Sequence, residues 1–308
     1  MSMLNSGLNS YKRIIYSQWG EDGVLEEIFR RIGTTNKFCV EFGAGNGYEL
    51  SNTWNLISNH NWNALLLDSN VLFCETWKKI LEKIPRVKIL NRFIGISGEH
   101  SLEKVLKASN VSHNFDLLSI DIDSNDYHIF RSIKSYKPRV IIIEHNPTVP
   151  PDDSIVQDPN ETIAFGSSAK ANVDLAHEKG YLLVAATQTN CIFVNKDDFP
   201  KLTIEEPSLS DVFDPSAISY VISSFNGASY LKSVGQNPVY GWLYRANNVT
   251  LKKSSLRAFT FGASLNRPFS KSLSEKYQPI KILRDSIDNT GSYIYMLKSV
   301  LRLLLRKK

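Results

Sequence analysis

The sequence predicts an α/β fold, a doubly wound and mostly parallel sheet with a C-terminal extension. Between residues 37 and 195, short apolar runs recur at the rhythm of strands and alternate with stretches of helical length. The first run breaks into a glycine-rich turn, as the first strand of such sheets commonly does. The last two runs face each other across a short polar turn, which predicts a hairpin. A chain of 308 residues with 42% hydrophobic composition can bury a large core of this kind.

The first predicted helix follows a polar lead-in over residues 1–15 and a polar cluster over residues 16–23. Apolar residues then recur at helical spacing from Val24 to Ile32, which predicts an amphipathic helix that ends at Gly33. The cluster, which contains Gln18 and two acids, is interpreted in two ways. It is either the N-cap of this helix or a segment that folds over a ligand at the sheet edge.

The glycine-rich turn is the centre of the predicted site. The strand before it carries Glu41, and Gly43, Gly45 and Gly47 follow at every second position. Glycine permits a positive φ and lets a ligand approach the backbone closely. In an open α/β sheet this turn lies at the carboxyl end of the strand, where nucleotide-like ligands bind. We therefore expect a β-branched residue in place of Gly43 to block ligand binding and to leave the fold intact.

Asp68 ends the next apolar run, about 20 residues beyond the last glycine. A carboxylate there can accept hydrogen bonds from both hydroxyls of a ribose, and the alternative is a tight turn followed by a surface aspartate. No Walker-type lysine follows the glycines, and their spacing does not match the dinucleotide fingerprint. Because Glu41 suits a ligand with a cationic amino-acid end, S-adenosylmethionine fits this turn better than NAD.

The remaining apolar runs predict three more parallel strands, a helix closed by Gly180, and the hairpin. They cover residues 87–90, 115–120, 140–143, 167–179, 181–186 and 191–194. Five parallel strands and a terminal hairpin form the seven-stranded, Rossmann-like sheet of class I methyltransferases, whereas a dehydrogenase has six parallel strands.

Acidic residues follow the fourth and fifth predicted strands. Asp121, Asp123 and Asp126 come after the fourth, and Glu144 and His145 follow the fifth. Three carboxylates so close in sequence repel one another unless a cation or a substrate hydroxyl lies among them. Such groups can form a general base for a hydroxyl or a Mg²⁺-type site. The alternative is a set of solvated loop acids and a histidine that makes local hydrogen bonds.

Five short motifs in one order resemble the FkbM-type branch of class I S-adenosylmethionine-dependent methyltransferases. The resemblance covers roughly residues 14–198 and rests on Ser17-Gln18-x-Gly20-Glu21-Asp22, Glu41-Phe42-Gly43-Ala44, Ser51-Asn52-Thr53, Ser119-Ile120-Asp121-Ile122-Asp123 and Glu144-x-Asn146-Pro147. It implies an enzyme of polysaccharide biosynthesis that methylates a hydroxyl oxygen, commonly of a sugar in a glycan or glycolipid. The alternative is a non-catalytic module of the same fold in a glycan-assembly complex, but the intact acids favour the enzyme.

The resemblance also implies roles for single residues. Cofactor contacts are implied for the glycine turn with Glu41 and for Asp68, and the residues implied to close over the cofactor are Gln18, Ser51 and Asn52. Asp121, Asp123 and Glu144 are implied to face the transferred methyl group. Asp123 or His145 would take the acceptor proton, or Mg²⁺ or another divalent metal held by the three acids would lower the pKa of the acceptor. Asn46, Asp68 and Ser124 depart from the residues usual in the family, and Ser124 can alter the acceptor loop.

We expect three parts along the chain: a cofactor-binding methyltransferase domain over residues 1–200, an aromatic-rich extension over 201–249, and a basic linker with an amphipathic helix over 250–308. From residue 250 onward the chain has 13 Lys and Arg against 3 Asp and Glu, whereas the rest has 23 against 28. Because the positive charge is not spread over the folded domain, we expect no nucleic-acid partner. Residues 148–165 are too long for an ordinary connection, and we expect them to shape the acceptor pocket or to form a disordered surface loop.

Residues 293–308 predict a basic amphipathic helix, because Lys298, Arg302 and Arg306 share one face and leucines occupy the other. Such a helix suits an anionic membrane surface. The alternative is a helix docked on the protein's own core or on a second subunit. With no signal peptide or long apolar run, and with three cysteines that suit buried free thiols, we expect a cytoplasmic protein, at the inner face of the membrane if the helix binds lipid.

Overall fold

A computed structural model of the protein describes residues 7–75, 84–160, 165–223 and 229–233. Its centre is a seven-stranded sheet in the order β3-β2-β1-β4-β5-β7-β6. The strands are β1 (Phe38–Phe42), β2 (Asn63–Asp68), β3 (Val87–Asn91), β4 (Leu117–Ile120), β5 (Val140–Glu144), β6 (Tyr181–Ala186) and β7 (Asn190–Asn195). Strands β1 to β5 pair in parallel, and β7 runs antiparallel to both β5 and β6. This order confirms the predicted fold class, the class I methyltransferase sheet.

Helices in the described residues pack around this sheet. They are α1 (Glu21–Ile32), α2 (Trp54–His60), α3 (Leu102–Ala108), α4 (Asp126–Ser132), α5 (Ala169–Glu178) and the single turn α6 (Leu209–Val212). Gly33 ends α1 with φ +67°, as its sequence pattern predicts. Helix α2 begins at Trp54, and the hydroxyls of Ser51 and Thr53 just before it donate to Glu41.

Apolar side chains cover both faces of the sheet, as a parallel sheet requires. On β1, Val40 and Phe42 join the cluster on one face and Cys39 joins the cluster on the other. All three are fully buried. Glu41 is therefore a carboxylate inside an otherwise apolar strand, and it needs partners at the strand end.

A buried ion-pair network closes the amino edge of the sheet. Arg139 donates to Asp198 at 2.7 Å and to Asp116 at 2.9 Å, and it also donates to the last carbonyls of α1. Asp116 has no exposed surface and accepts three further backbone N–H groups, those of Thr35, Asn36 and Lys37. The network ties α1, β4 and β5 together on the side of the sheet away from the glycine turn.

Beyond the sheet, α6 and the segment after it pack on the core through Val212, Phe213 and Ile218. A separate antiparallel pair, β8 (Ser219–Ser223) and β9 (Ser229–Ser233), follows. The predicted linker and basic helix, including residues 293–308, lie outside the described residues. Within the part of the chain described above, no helix is long and apolar enough to cross a membrane.

Candidate active site

The packing of β1 against the end of β4 requires a glycine at position 43. Its φ is +74°, and a Cβ built on it would lie 1.5 Å from the backbone oxygen of Asp121 at the end of β4. The backbone of β4 therefore passes where a side chain would have to be. This corrects the expectation that a β-branched residue at Gly43 would leave the fold intact, because the space that Gly43 leaves is filled by the protein itself.

Gly45, with φ +54°, faces open space, since a Cβ built on it would meet nothing within 4 Å. Gly47 also has a positive φ, +72°. A shallow cleft opens beside the turn, and its lining includes Gly45, Asp68 and Phe73. Because the cleft is shallow and open, a nucleoside-sized ligand at this turn would extend along the sheet edge.

Asp68 closes the cleft at the end of β2, as its position in the sequence predicts. One carboxylate oxygen accepts the N–H of Gly45 at 2.7 Å, and the other accepts the N–H of Asn70 at 2.7 Å. Each oxygen keeps a further lone pair for a ligand hydroxyl. Asp68 thus fixes the glycine turn, and contact with a ribose stays a prediction.

Glu41 is almost fully buried, with 3% of its surface exposed. Its carboxylate accepts the hydroxyls of Ser51 at 2.6 Å and Thr53 at 2.7 Å and the N–H of Asn52 at 2.8 Å. Burial raises the pKa of Glu41, and these donors oppose the rise. The Asn52 side chain donates to Ser119 on β4 at 3.1 Å. These bonds hold the glycine turn against α2 and β4, and the predicted cofactor contacts of Glu41, Ser51 and Asn52 stay predictions.

The polar segment before α1 donates hydrogen bonds to Asp22 in the first turn of that helix. One oxygen of Asp22 accepts the backbone N–H groups of Ile15, Tyr16 and Ser17, and it also accepts the Ser17 hydroxyl. The other oxygen is buried and has no partner among the described residues. A backbone bridge between Ser17 and Leu50 brings this segment to the glycine turn. Gln18 is half-buried on this segment, so its predicted closure over a ligand stays a prediction.

The structure brings Asp121, Asp123 and Glu144 together at the ends of β4 and β5. One carboxylate oxygen from each lies within 4.8 Å of the others. Asp123 has a positive φ of +61°, and its N–H donates to Glu144 at 3.1 Å. Asp123 is the exposed member, and the other two are half-buried. The cluster predicted from sequence therefore exists as a geometric unit.

Burial is the main cause of the raised pKa values in this cluster. It raises the pKa of Asp121 and Glu144 well above their ordinary values, and neighbouring carboxylates add to both effects. Burial also raises the pKa of Asp123, although its side chain reaches solvent. No lysine or arginine forms an ion pair with these three acids in the described part of the chain. The three acids thus form an acidic edge to which the described residues supply no counter-charge.

Asp126 has a positioning role that the sequence did not reveal. Its two oxygens accept the N–H groups of Ile122 at 2.8 Å and Ser124 at 3.0 Å. Burial raises the pKa of Asp126 to about 6. These bonds hold the loop in which Asp123 takes its positive φ. The only sequence signal is an acid at the start of a helix, which more often marks simple capping.

His145 does not join the acid cluster. Its ring is 2% exposed and lies 5.6 Å from the ring of Phe213. Neither ring nitrogen makes a hydrogen bond of normal geometry with a described residue. Burial lowers the pKa of His145 to about 4, although the nearby backbone of Asn146 and Thr187 opposes this shift. The structure thus separates His145 from the acids with which it was grouped, and its role as a base stays a prediction.

The long connection after β5 is hydrogen-bonded where it is described. Asn146 donates to the carbonyl of Phe165 at 2.8 Å, and the Gln157 side chain accepts the N–H of Gly166 at 2.8 Å. His128 on α4 lies 2.7 Å from the Gln157 carbonyl. These bonds tie the connection to the helix that follows the acid loop, so its described part is not a disordered loop.

Solved structures that are similar to this chain have low sequence identity to it and low TM-scores. TrmK of M. capricolum, in complex with S-adenosyl-homocysteine, is 16% identical over 56% of this chain and 67% of its own, with a TM-score of 0.37. A putative caffeoyl-CoA O-methyltransferase from Staphylococcus aureus is 14% identical over 60% of this chain and 87% of its own, with a TM-score of 0.39. The glycopeptide N-methyltransferase MtfA, complexed with S-adenosyl-L-homocysteine, is 10% identical over 59% of this chain and 91% of its own, with a TM-score of 0.35.

No protein-family model and no curated protein matches the chain.

Proposed function

We propose that the protein is an S-adenosylmethionine-dependent O-methyltransferase of the FkbM type that acts on a sugar hydroxyl of a glycan or glycolipid. The observation that carries the proposal is the carboxyl edge of the sheet. An open glycine turn with Asp68 beside it lies at the ends of β1 and β2, and three converging acids lie at the ends of β4 and β5. The sugar itself is supported by the motif resemblance alone.

The charge of this edge supports the choice of methyl donor. Burial raises the pKa of Asp121, and the nearby carboxylates of Asp126, Asp123, Glu41 and Glu21 raise it further. A ligand with an ammonium and a sulfonium group supplies the missing positive charge, whereas NAD would bring negative phosphates to the same edge. S-adenosylmethionine is the nucleoside ligand that fits both the turn and the charge.

When bound, S-adenosylmethionine supplies an electrophilic methyl group, so the protein has to position a hydroxyl and remove its proton. Asp123 is suited to receive that proton, because it is the accessible member of the cluster and its raised pKa makes it a stronger base than an ordinary aspartate. Asp126 holds the loop that presents Asp123, and Glu144 accepts the N–H of Asp123.

The same three acids fit a divalent metal by donor type and spacing. Mg²⁺ binds hard oxygen ligands such as carboxylates. One carboxylate oxygen from each of the three acids lies within 4.8 Å of the others, so modest side-chain movements would bring all three to one ion. Asp121, Asp123 and Glu144 would hold the ion, and the ion would lower the pKa of a bound acceptor hydroxyl.

The proposal includes a location at an anionic membrane surface, through residues 293–308. Its support is the sequence pattern alone, in which basic residues recur on one helical face. Each basic residue near an anionic surface contributes about 1 kcal/mol. Such an attachment would bring the enzyme to a lipid-linked acceptor.

Calorimetric titration of the full-length chain with S-adenosylmethionine, S-adenosylhomocysteine and NAD tests the proposal. We expect the first two to bind and NAD not to bind. A cationic ligand lowers the raised pKa values of the acids, so S-adenosylmethionine should release protons, seen as heats that depend on the ionisation enthalpy of the buffer. S-adenosylhomocysteine lacks the sulfonium charge and should release fewer. Binding of NAD alone would contradict the proposal, and cofactor binding without methyl transfer to any glycan or glycolipid would favour the non-catalytic module.

A further inference from the structure

An exposed apolar surface lies beside the candidate site, on the segment before α1 and just after the glycine turn. Its side chains are those of Ile14, Ile15 and Leu50, with 64%, 39% and 47% of their surface exposed. Single exposed apolar side chains are common on folded proteins, whereas a group of them beside a polar site marks a binding surface. We call these three residues the apolar rim.

Two contacts join the segments that carry the apolar rim. Ser17 and Leu50 form a backbone bridge. The rings of Tyr16 and Tyr48 meet edge to face, with their centroids 5.4 Å apart. Ile15 directly precedes Tyr16, and Leu50 is itself part of the bridge. The exposed side chains of the two segments therefore belong to one surface.

On the side of the glycine turn, the apolar rim leads to the acid cluster through Glu41. Leu50 directly precedes Ser51, whose hydroxyl donates to Glu41 at 2.6 Å. Burial is the main cause of the raised pKa of Asp121, and Glu41 is one of the carboxylates that raise it further. Leu50 is thus one residue away from a group that is bound to a neighbour of the acid cluster.

On the side of α1, the apolar rim leads to the same acid. The backbone N–H of Ile15 donates to Asp22 at 2.8 Å. Glu21, which precedes Asp22 in the first turn of α1, also raises the pKa of Asp121, in addition to burial and the nearer acids. The apolar rim therefore borders the acid cluster, and a molecule that reaches Asp121 from solvent can also contact the rim.

The backbone of Leu50 has a conformation that leucine rarely adopts. Its φ is +60°, in the left-handed region, where asparagine and glycine are much more common. Half of its side chain is exposed, so burial in the core does not offset this conformational cost. Residues held in such conformations cluster at functional sites. A ligand that the exposed leucine side chain contacts gives a physical reason for a leucine at this position.

We infer that the apolar rim binds a hydrocarbon chain attached to the acceptor sugar, an inference that rests on the proposed methyltransferase function. The acceptor is then a glycolipid and not a free glycan. Three apolar side chains offer no partner to sugar hydroxyls, and the neighbouring carboxylates repel an anionic lipid surface. An uncharged chain meets neither obstacle and gains from leaving water. Because the rim borders the acids, the chain extends along it while the sugar lies at the acids.

Substitution of Leu50 by asparagine separates chain binding from folding. Asparagine adopts the left-handed conformation more readily than leucine, so the fold should be at least as stable, and the apolar side chain is lost. Val71→Asn is the matched control, because Val71 is 54% exposed and follows β2, away from α1. Neither residue belongs to the proposed cofactor or acid groups.

The test is ligand-observed NMR titration of the full-length chain, loaded with S-adenosylhomocysteine, with methyl, hexyl and octyl β-glucoside below their micelle concentrations. Full burial of one CH₂ group strengthens binding about fourfold, so partial burial of the chain should make octyl glucoside bind about tenfold or more tighter than methyl glucoside. In Leu50→Asn, octyl glucoside should bind about fivefold or more weakly, and methyl glucoside should be unaffected. Val71→Asn should change neither affinity.

If Leu50→Asn melts at a lower temperature than Val71→Asn, Ile15→Thr decides in the same way, because it keeps the β-branched shape and removes apolar surface. An affinity that does not depend on chain length would overturn the inference, and so would an equal loss in Leu50→Asn and Val71→Asn. Unchanged octyl glucoside binding in Leu50→Asn would also overturn it. In that case a fall in vesicle co-sedimentation would identify a membrane as the occupant, and a fall in dimer content in the ultracentrifuge would identify a second copy of the chain.

Calorimetric binding of S-adenosylhomocysteine is measured on the same samples. If it is retained while the dependence on chain length is absent, the inference about the apolar rim is wrong and the proposed cofactor stands. If the unchanged protein does not bind S-adenosylhomocysteine, the proposed function is wrong, whatever the glucosides show.

Discussion

Two glycines of the same turn should respond differently to substitution by alanine. Gly43→Ala should mainly lower stability, and Gly45→Ala should mainly lower ligand affinity. In Gly43→Ala, the new Cβ starts 1.5 Å from the Asp121 oxygen, whereas real Cβ atoms essentially never come within 3.0 Å. The ends of β1 and β4 must therefore separate by about 1.5 Å. Overpacking costs about 1–3 kcal/mol and a left-handed alanine about 1–2 kcal/mol. We expect a loss of about 2–5 kcal/mol in the free energy of unfolding, measured by urea denaturation.

In Gly45→Ala, no clash occurs, because nothing lies within 4 Å of the new Cβ. Only the conformational cost of about 1–2 kcal/mol remains, so the variant should fold. If the cofactor binds at this turn as proposed, the new methyl group takes up space that the ligand needs, and we expect affinity for S-adenosylhomocysteine to fall at least tenfold, about 1.4 kcal/mol, by calorimetry.

Gly180→Ala is the matched control, since Gly180 also has a positive φ, +83°, and open space around its Cβ. It precedes β6 at the amino edge of the sheet, so it should have the same stability cost and unchanged affinity. Unchanged affinity in a folded Gly45→Ala would refute the assignment of the cofactor to this turn. A Gly43→Ala protein as stable as Gly180→Ala would refute the packing described for β1 and β4.

Three further outcomes are expected. Asp123→Asn should lower methyl transfer to a glycolipid extract about 100-fold or more and leave cofactor affinity within twofold, because it removes a proton acceptor; activity insensitive both to this change and to chelators would contradict the role of the acids. Arg139→Met should destabilise the fold by about 3–5 kcal/mol in urea, because it leaves Asp116 buried and unpaired. The hydrogen bonds and ion pair with Arg139 lower the pKa of Asp198 to about 2, so their contribution to the free energy of unfolding is present above about pH 4 and is lost as the pH falls towards 2. This loss should be smaller in Arg139→Met. If the free energy of unfolding of the variant is within about 1 kcal/mol of that of the unchanged protein, the network adds little. A chain that ends at Asn289 should lose co-sedimentation with anionic vesicles, and binding equal to that of the full chain would show that residues 293–308 are not the membrane contact.

The sheet was predictable because its signals are local. Apolar runs end at glycines and acids, and the periodicity of each run does not depend on distant residues. The closeness of Asp121, Asp123 and Glu144 followed from the same logic, since neighbouring parallel strands end at one edge. The strand order of the structure confirms the first prediction, and the 4.8 Å grouping of the acids agrees with the second.

What the sequence could not reveal depends on contacts between distant segments. Gly43 is required by a backbone oxygen 78 residues further along the chain, so its role could not be separated from that of Gly45. Glu41 is bound by Ser51 and Thr53, which lie just before α2 and which the sequence did not pair with it. His145 follows Glu144 directly but lies against Phe213, because neighbouring residues at a strand end point in different directions.

A crystal structure of the full-length chain with S-adenosylhomocysteine tests the proposed cofactor site most directly. We predict the ribose beside Asp68, the nucleoside against Gly45 in the cleft that includes Phe73, and the amino-acid end towards Glu41 and Asp121. A nucleoside bound away from the ends of β1 and β2, or a site that stays empty at saturating ligand, would contradict it.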